Sequence, residues 1–83
     1  MAKLNNILEY KGYWTNIKID FESHLLHGRL EGIRDLVNFE SETIGGIIKE
    51  FHRAVDDYLE FCAELGETPN EPERIPEYIA EVL

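Results

Sequence analysis

The chain has a single cysteine and no long apolar run. These two features limit the classes of protein to which it can belong. Its single cysteine, Cys62, cannot form an internal disulfide, so nothing in the sequence calls for an oxidising compartment. No apolar run approaches the roughly 20 residues that a membrane-spanning helix needs. Asn5, Asn6 and Glu9 interrupt the N-terminus before the apolar part of a signal peptide could form. We therefore expect a soluble cytoplasmic protein without a membrane segment.

Basic residues are also scarce. The 83 residues include 8 basic and 17 acidic side chains, which gives a formal net charge of −9. A charge of this sign repels the phosphates of nucleic acids and favours a basic protein as partner. A chain this short buries only about 60 to 65% of its unfolded surface. We therefore expect it to associate, either as a homo-oligomer or with another protein.

Alternating residues predict an antiparallel sheet. From residue 13 to residue 20, apolar or β-branched residues alternate with polar ones, which is typical of a strand. Residues 26–31 alternate in the same way after a turn at FESHLL, so the two strands should form a hairpin. A third short strand over 36–40, with Val37 and Phe39 facing inward, completes a three-stranded meander.

The pattern then changes to the period of a helix. Ser41 and Thr43 are good N-cap residues, and Gly66 is suited to follow the last turn. Between them, apolar residues at i, i+3, i+4 and i+7 predict a helix of about six turns that packs on the sheet: Ile44, Ile47, Ile48, Phe51, Val55, Tyr58, Leu59, Cys62 and Leu65. The predicted fold class is α+β. Residues 1–66 form the domain, and 67–83 form a proline-containing linker with a short helix beginning at Pro76.

Two adjacent carboxylates, Asp56 and Asp57, lie within this predicted helix. At about 100° per residue they project to opposite flanks of the apolar stripe, whereas an acid/base or metal-binding pair must converge on one point. We expect Asp57 to pair with Arg53, four residues earlier. The two carboxylates are thus interpreted as a solvated or partner-facing acidic surface.

Other candidate sites give weaker signals. His24 and His27 lack the cysteine or second close histidine that would complete a zinc site, and Cys62 lies on the buried stripe, where a thiol is inert. The carboxylates of Asp20, Glu22, Glu31 and Asp35 could form a two-metal nuclease centre at strand ends, and this alternative stays open. Otherwise we predict no catalytic residue, metal or cofactor.

Two surfaces are candidates for partner binding. One is the sheet face opposite the helix, where an exposed tryptophan beside an arginine would be a typical interface anchor; the alternative is that Trp14 folds under the N-terminal segment. The other is the acidic flank of the helix. The residues concerned are Trp14, Lys18, His27 and Arg29 on the sheet and Asp56, Asp57 and Glu60 on the helix.

Several of these segments together resemble the HicB antitoxins of bacterial type II toxin-antitoxin systems. The resemblance spans residues 7 to about 71 and depends on the following residues: Tyr10-Lys11-Gly12-Tyr13, His27-Gly28, Gly32-Ile33-Arg34-Asp35, Phe39, Phe51, Val55-Asp56-Asp57-Tyr58-Leu59 and Cys62. It implies a partial RNase H-like fold, a three- to four-stranded antiparallel sheet packed against one long helix, without nuclease activity. It also implies a partner, a small basic HicA-type toxin that cleaves mRNA and whose active site the antitoxin masks, and assembly as a dimer or tetramer.

The chain departs from the family pattern in two places. Gly45-Gly46 replace the acidic residues usual in the first helical turn. Many members carry a C-terminal DNA-binding module, but here RIPEYIAEVL runs for only ten residues with one basic residue, so we do not expect this chain alone to bind an operator. An RNase H-like metal-dependent nuclease, an orphan regulator that has lost its toxin and a DNA-binding repressor are the alternatives.

Overall fold

The computed structural model describes residues 6–69. The helix predicted from Pro76 onward lies outside the described residues. Within this range the chain folds into the strands β1 (Ile7–Tyr10), β2 (Tyr13–Asn16), β3 (Lys18–Asp20), β4 (Leu25–Arg29) and β5 (Asn38–Ser41), followed by the helix α1 (Ile44–Leu65). The α+β prediction, an antiparallel sheet packed against one long helix, is confirmed.

The strands form one ladder that is interrupted in the middle. β1 pairs with β2, while β3, β4 and β5 form a three-stranded sheet, all antiparallel. Two backbone hydrogen bonds join these parts: the Ile17 N–H donates to the Asn6 carbonyl at 2.8 Å and the Glu31 N–H to the Trp14 carbonyl at 2.9 Å. β2 and β3 are therefore two halves of the strand predicted over 13–20, interrupted at Ile17. In the ladder this strand lies between β1 and β4.

The alternation pattern did not predict β1. Lys11 and Gly12 connect β1 to β2, with φ angles of 52° and 84°, and Tyr10 pairs directly with Tyr13 across them. Positive φ at both positions is the signature of the tight two-residue turn that suits a hairpin. A glycine in this dipeptide, between Tyr10 and Tyr13, is the sequence signal that could have located the extra strand.

The other two predicted strands are present, with their ends shifted by one or two residues along the chain. At the predicted hairpin, Asp20 Oδ1 accepts hydrogen bonds from the Glu22 and Ser23 N–H groups at 3.0 and 3.3 Å, and this fixes the turn into β4. The third strand begins at Asn38, two residues later than predicted, and Phe39 points into the core as expected.

The ends of α1 are as the sequence predicted. The Thr43 hydroxyl accepts a hydrogen bond from the Gly46 N–H at 2.9 Å, and this satisfies one of the free donors in the first turn. Gly66 is left-handed with φ of 70°, and its N–H donates to the Ala63 carbonyl. The helix is therefore capped at both ends by local hydrogen bonds.

The apolar stripe is buried over the middle of the helix. Its buried members are Ile47, Phe51, Val55, Tyr58 and Cys62. The prediction was wrong for Ile44, Ile48 and Leu65, which are exposed. Ile44 and Leu65 are the first and last residues of the helix, where the buried stripe has ended, while Ile48, at 37% exposed, lies at the margin of the stripe.

Gly28, in β4, marks the closest packing in the core. A methyl group added there would lie 2.7 Å from Thr15 Oγ1 and 3.0 Å from both Ile17 Cδ1 and Phe39 Cζ. The neighbouring side chains therefore fill the space above the glycine. Gly28 is therefore a position where the absence of a side chain lets its neighbours pack closely.

Replacing Gly28 by alanine should destabilise the fold by about 1 to 3 kcal/mol, because the added methyl group overpacks a filled core. Urea denaturation followed by circular dichroism would measure the change. Gly45→Ala is the matched control: Gly45 lies in α1 with open space around its α-carbon, and alanine there should stabilise the helix by up to about 1 kcal/mol. Equal stability of G28A and wild type would contradict the packing described here.

Thr15 is fully buried, and its hydroxyl has no hydrogen-bond partner among the described residues. Thr15→Val keeps the shape and removes the unsatisfied group, so it should raise the free energy of unfolding by about 1 kcal/mol. Thr15→Ser keeps the hydroxyl and loses the methyl group, so it should lower this free energy. A destabilised valine variant, measured in the same urea titration, would show that the hydroxyl is satisfied.

Candidate partner-binding surfaces

Asp56 and Asp57 diverge, as predicted. Asp56 turns toward the sheet, where its Oδ1 accepts a hydrogen bond from the Lys11 ammonium at 2.8 Å. Asp57 lies on the other flank, where Arg53 Nε is 4.0 Å from its Oδ2, so the predicted pairing with Arg53 is present as a long, exposed ion pair. The two carboxylates do not form a convergent acid pair.

Asp56 belongs to a cluster that ties β1 to the helix, which we call the turn clamp: Tyr10, Lys11, His52 and Asp56. The Tyr10 ring stacks on the His52 ring with 4.0 Å between centroids. Its hydroxyl donates to Asp56 Oδ2 at 3.2 Å. The hydrogen bond from Lys11 lowers the pKa of the Asp56 carboxyl and raises the pKa of the Lys11 ammonium. Asp56 is therefore engaged in an internal contact, and the openly acidic part of this helix surface consists of Asp57 and Glu60.

The sheet face opposite the helix brings three of the predicted binding residues together. Lys18 and His27 are directly opposite each other in the β3–β4 register. With Arg29 and Asn38 they line a hollow of about 270 Å³. Arg29 Nε is 3.6 Å from Glu31 Oε2, so the patch is mixed in charge. It is a small polar surface of the size that one or two partner side chains could occupy.

Trp14 is not an exposed anchor on this face. Only 6% of its surface is exposed, so the expectation of an exposed tryptophan was wrong. The alternative interpretation, that Trp14 folds under the N-terminal segment, agrees with this burial: the backbone of Trp14 pairs with Glu9 of β1 on one side and accepts the Glu31 N–H on the other. Trp14 therefore lies inside the ladder, whereas without β1 it would have lain at its edge.

The predicted binding residues thus form two separate surfaces. Lys18, His27 and Arg29 lie on the outer sheet face, while Asp57 and Glu60 lie on the helix that covers the inner face. One small partner could contact both only by wrapping around the domain. Their role in binding a partner stays a prediction.

The carboxylates considered for a metal centre are not gathered at one place. Across residues 6–69, no group of three or more histidine, cysteine, aspartate or glutamate side chains is placed to hold an ion. Asp20 instead caps the β3–β4 turn, and Asp35 accepts a hydrogen bond from the Tyr58 hydroxyl at 2.9 Å. Cys62 is buried.

Among the described residues, 6–69, no helix has the length and apolar character to cross a membrane.

A groove lies between α1 and the segment that leads into β5, and we call it the β5 groove. No pattern in the sequence predicted it. It has a volume of about 730 Å³ and is lined by residues 35–39 on one side and by the helix on the other. Leu36 and Phe61, which line it, are 72% and 57% exposed. Phe61 falls outside the apolar stripe of the helix, and an aromatic residue on a polar flank is the signal that could have indicated this surface.

Comparison with protein-family models, with curated proteins and with solved structures found no match for this chain.

The turn clamp should make stability depend on pH. Asp56 has a lowered pKa in the fold, so its contribution is complete above the ordinary aspartate pKa of 3.8 and is lost as the pH falls through the folded value. Asp56→Asn should therefore lower the melting temperature at pH 7. The difference from wild type should shrink at acidic pH, where the wild-type carboxyl is also uncharged.

Glu60→Gln is the matched control for this measurement. It makes the same change of charge on the exposed surface of the same helix, without removing a contact to Lys11 or Tyr10. Its melting temperature should stay close to that of the wild type. If D56N and E60Q melted alike at pH 7, the clamp would not contribute to stability.

Proposed function

We propose that this chain is a HicB-type antitoxin that neutralises a small basic HicA-like toxin by binding it and covering its active site. The proposal starts from the resemblance over residues 7 to about 71. The α+β arrangement supports it, because the family is expected to have a sheet packed against one long helix. In this proposal the chain performs no chemistry of its own.

The observation that carries the proposal is that the segments of the resemblance contact one another. Tyr10 and Lys11, from the first segment, bind Asp56 in the last. Asp35, from the middle segment, accepts the Tyr58 hydroxyl. The segments are separated by 23 to 46 positions along the chain, yet they form one set of contacts along α1. These contacts support the resemblance, because a fold shared with the family would bring the same segments together.

The negative charge of the chain gives a physical reason why it could bind a toxin and cover the active site of that toxin. A toxin that cleaves RNA must hold phosphates, so its active surface is basic. An acidic antitoxin competes for the same positive charge and is drawn to it by long-range attraction. The net charge of −9 and the exposed carboxylates of α1 fit this role. We further propose that the antitoxin self-associates, since its own core is small.

The test is co-expression of the chain with the short basic protein encoded beside its gene. We expect the two to co-purify in fixed stoichiometry and the complex to weaken as salt is raised, because exposed charge pairs are screened. RNA cleavage by the basic protein should stop in the complex. If the two proteins eluted separately at low and high salt, or no short basic protein were encoded there, the proposal would be wrong.

A further inference from the structure

We infer that the β5 groove is the docking site for an extended, basic segment of the partner, which adds itself as a strand to the free edge of β5. The nature of the partner rests on the proposed function. The docking site itself rests on three features of the described residues: an open strand edge, exposed apolar side chains and an excess of negative charge.

The open edge belongs to β5, which lies at the end of the ladder. β5 pairs with β4, and no other strand within residues 6–69 pairs with it. The Leu30 N–H donates to the Val37 carbonyl. Since backbone groups alternate in direction along an antiparallel pair, those of Asn38 and Glu40 face away from β4. These outward N–H and C=O groups are a template for an added strand.

The apolar side chains lie where such a strand would contact the groove. Leu36 precedes β5 and Phe61 faces it from α1, and both line the same groove. Large exposed apolar side chains beside a free edge are typical of binding surfaces, because a partner gains by burying them. A side chain of the added segment would lie between these two residues.

The charge of the groove selects the partner. Four carboxylates line it, those of Asp35, Glu50, Asp57 and Glu67, against one basic residue, Arg53. Arg53 is already shared between Glu50, at 3.8 Å, and Asp57, at 4.0 Å. A second copy of this chain would bring a groove of the same negative charge, and like charges in contact are unfavourable. The occupant is therefore a segment with lysine or arginine at alternating positions, since alternate residues of a strand share one face.

The test uses the full chain and a defined probe, a nine-residue peptide in which lysine alternates with valine, blocked at both ends. With 15N-labelled protein, we expect saturable, salt-sensitive shifts of the Asn38 and Glu40 amide signals. Asp57→Lys should weaken binding by about tenfold or more. Glu9→Lys, with the same change of charge on β1 at the far edge of the ladder, should leave the affinity within about twofold of wild type.

A second peptide separates strand addition from charge attraction. Methylation of the backbone nitrogens at alternate residues keeps every charge and removes the donors that would pair with β5, so this peptide should bind at least about tenfold more weakly. Equal binding of the two peptides would overturn the inference. So would equal binding to wild type and the Asp57→Lys variant, or a chain that dimerises through the groove and excludes the peptide.

Failure of this inference can be distinguished from failure of the proposed function. If the neighbouring basic protein forms no complex but the peptide binds along β5, the docking site stands and the antitoxin assignment falls. If that complex forms with unchanged affinity for the Asp57→Lys variant and the peptide leaves the β5 signals unmoved, the docking site falls and the assignment stands.

Discussion

The structure depends on the packing of α1 across the inner face of the sheet. Phe51 and Val55 are fully buried beneath it, and in a chain this small no second core could replace that contact. Once these residues point inward, the helical period fixes the direction of every other position. Asp56 and Asp57 must then diverge to opposite flanks. The same packing that holds the domain together therefore excludes a convergent acid pair and presents carboxylates outward.

Two further sets of contacts fix the helix to the rest of the chain. The turn clamp holds it to the β1–β2 turn, where two left-handed residues direct Lys11 toward Asp56. On the opposite flank, the Tyr58 hydroxyl holds Asp35 in the segment before β5, and the Tyr13 and Tyr58 rings meet edge to face, 5.9 Å apart. Each contact joins segments that are far apart in the chain, so the antitoxin resemblance and the fold depend on the same residues.

Sequence reasoning located the elements with strong local signals. The helix and both of its caps were predictable because periodicity, Thr43 and Gly66 agree, and the divergence of Asp56 and Asp57 follows from helical geometry alone. β1 was missed because its few residues alternate too briefly. For Trp14 the sequence left two possibilities open, exposure on the sheet face or burial under the N-terminal segment, and the structure shows that it is buried. The β5 groove arises where residues 35–39 meet a helix about 15 to 30 positions later, so the sequence could point only to Phe61 on the polar flank of the helix and not to the groove as a whole. No local pattern encodes such a contact.

In the proposed function, the domain acts by presenting an acidic surface to a basic protein and contributes no reactive group. The most direct test of this proposal takes the short basic protein that it requires beside the gene and measures the rate of RNA cleavage by that protein while this chain is titrated in. We expect cleavage to fall linearly to zero at a fixed molar ratio of the two proteins, and we expect the chain alone not to cleave RNA. Cleavage that persists at excess chain, or RNA cleavage by the chain alone with a divalent metal, would contradict it.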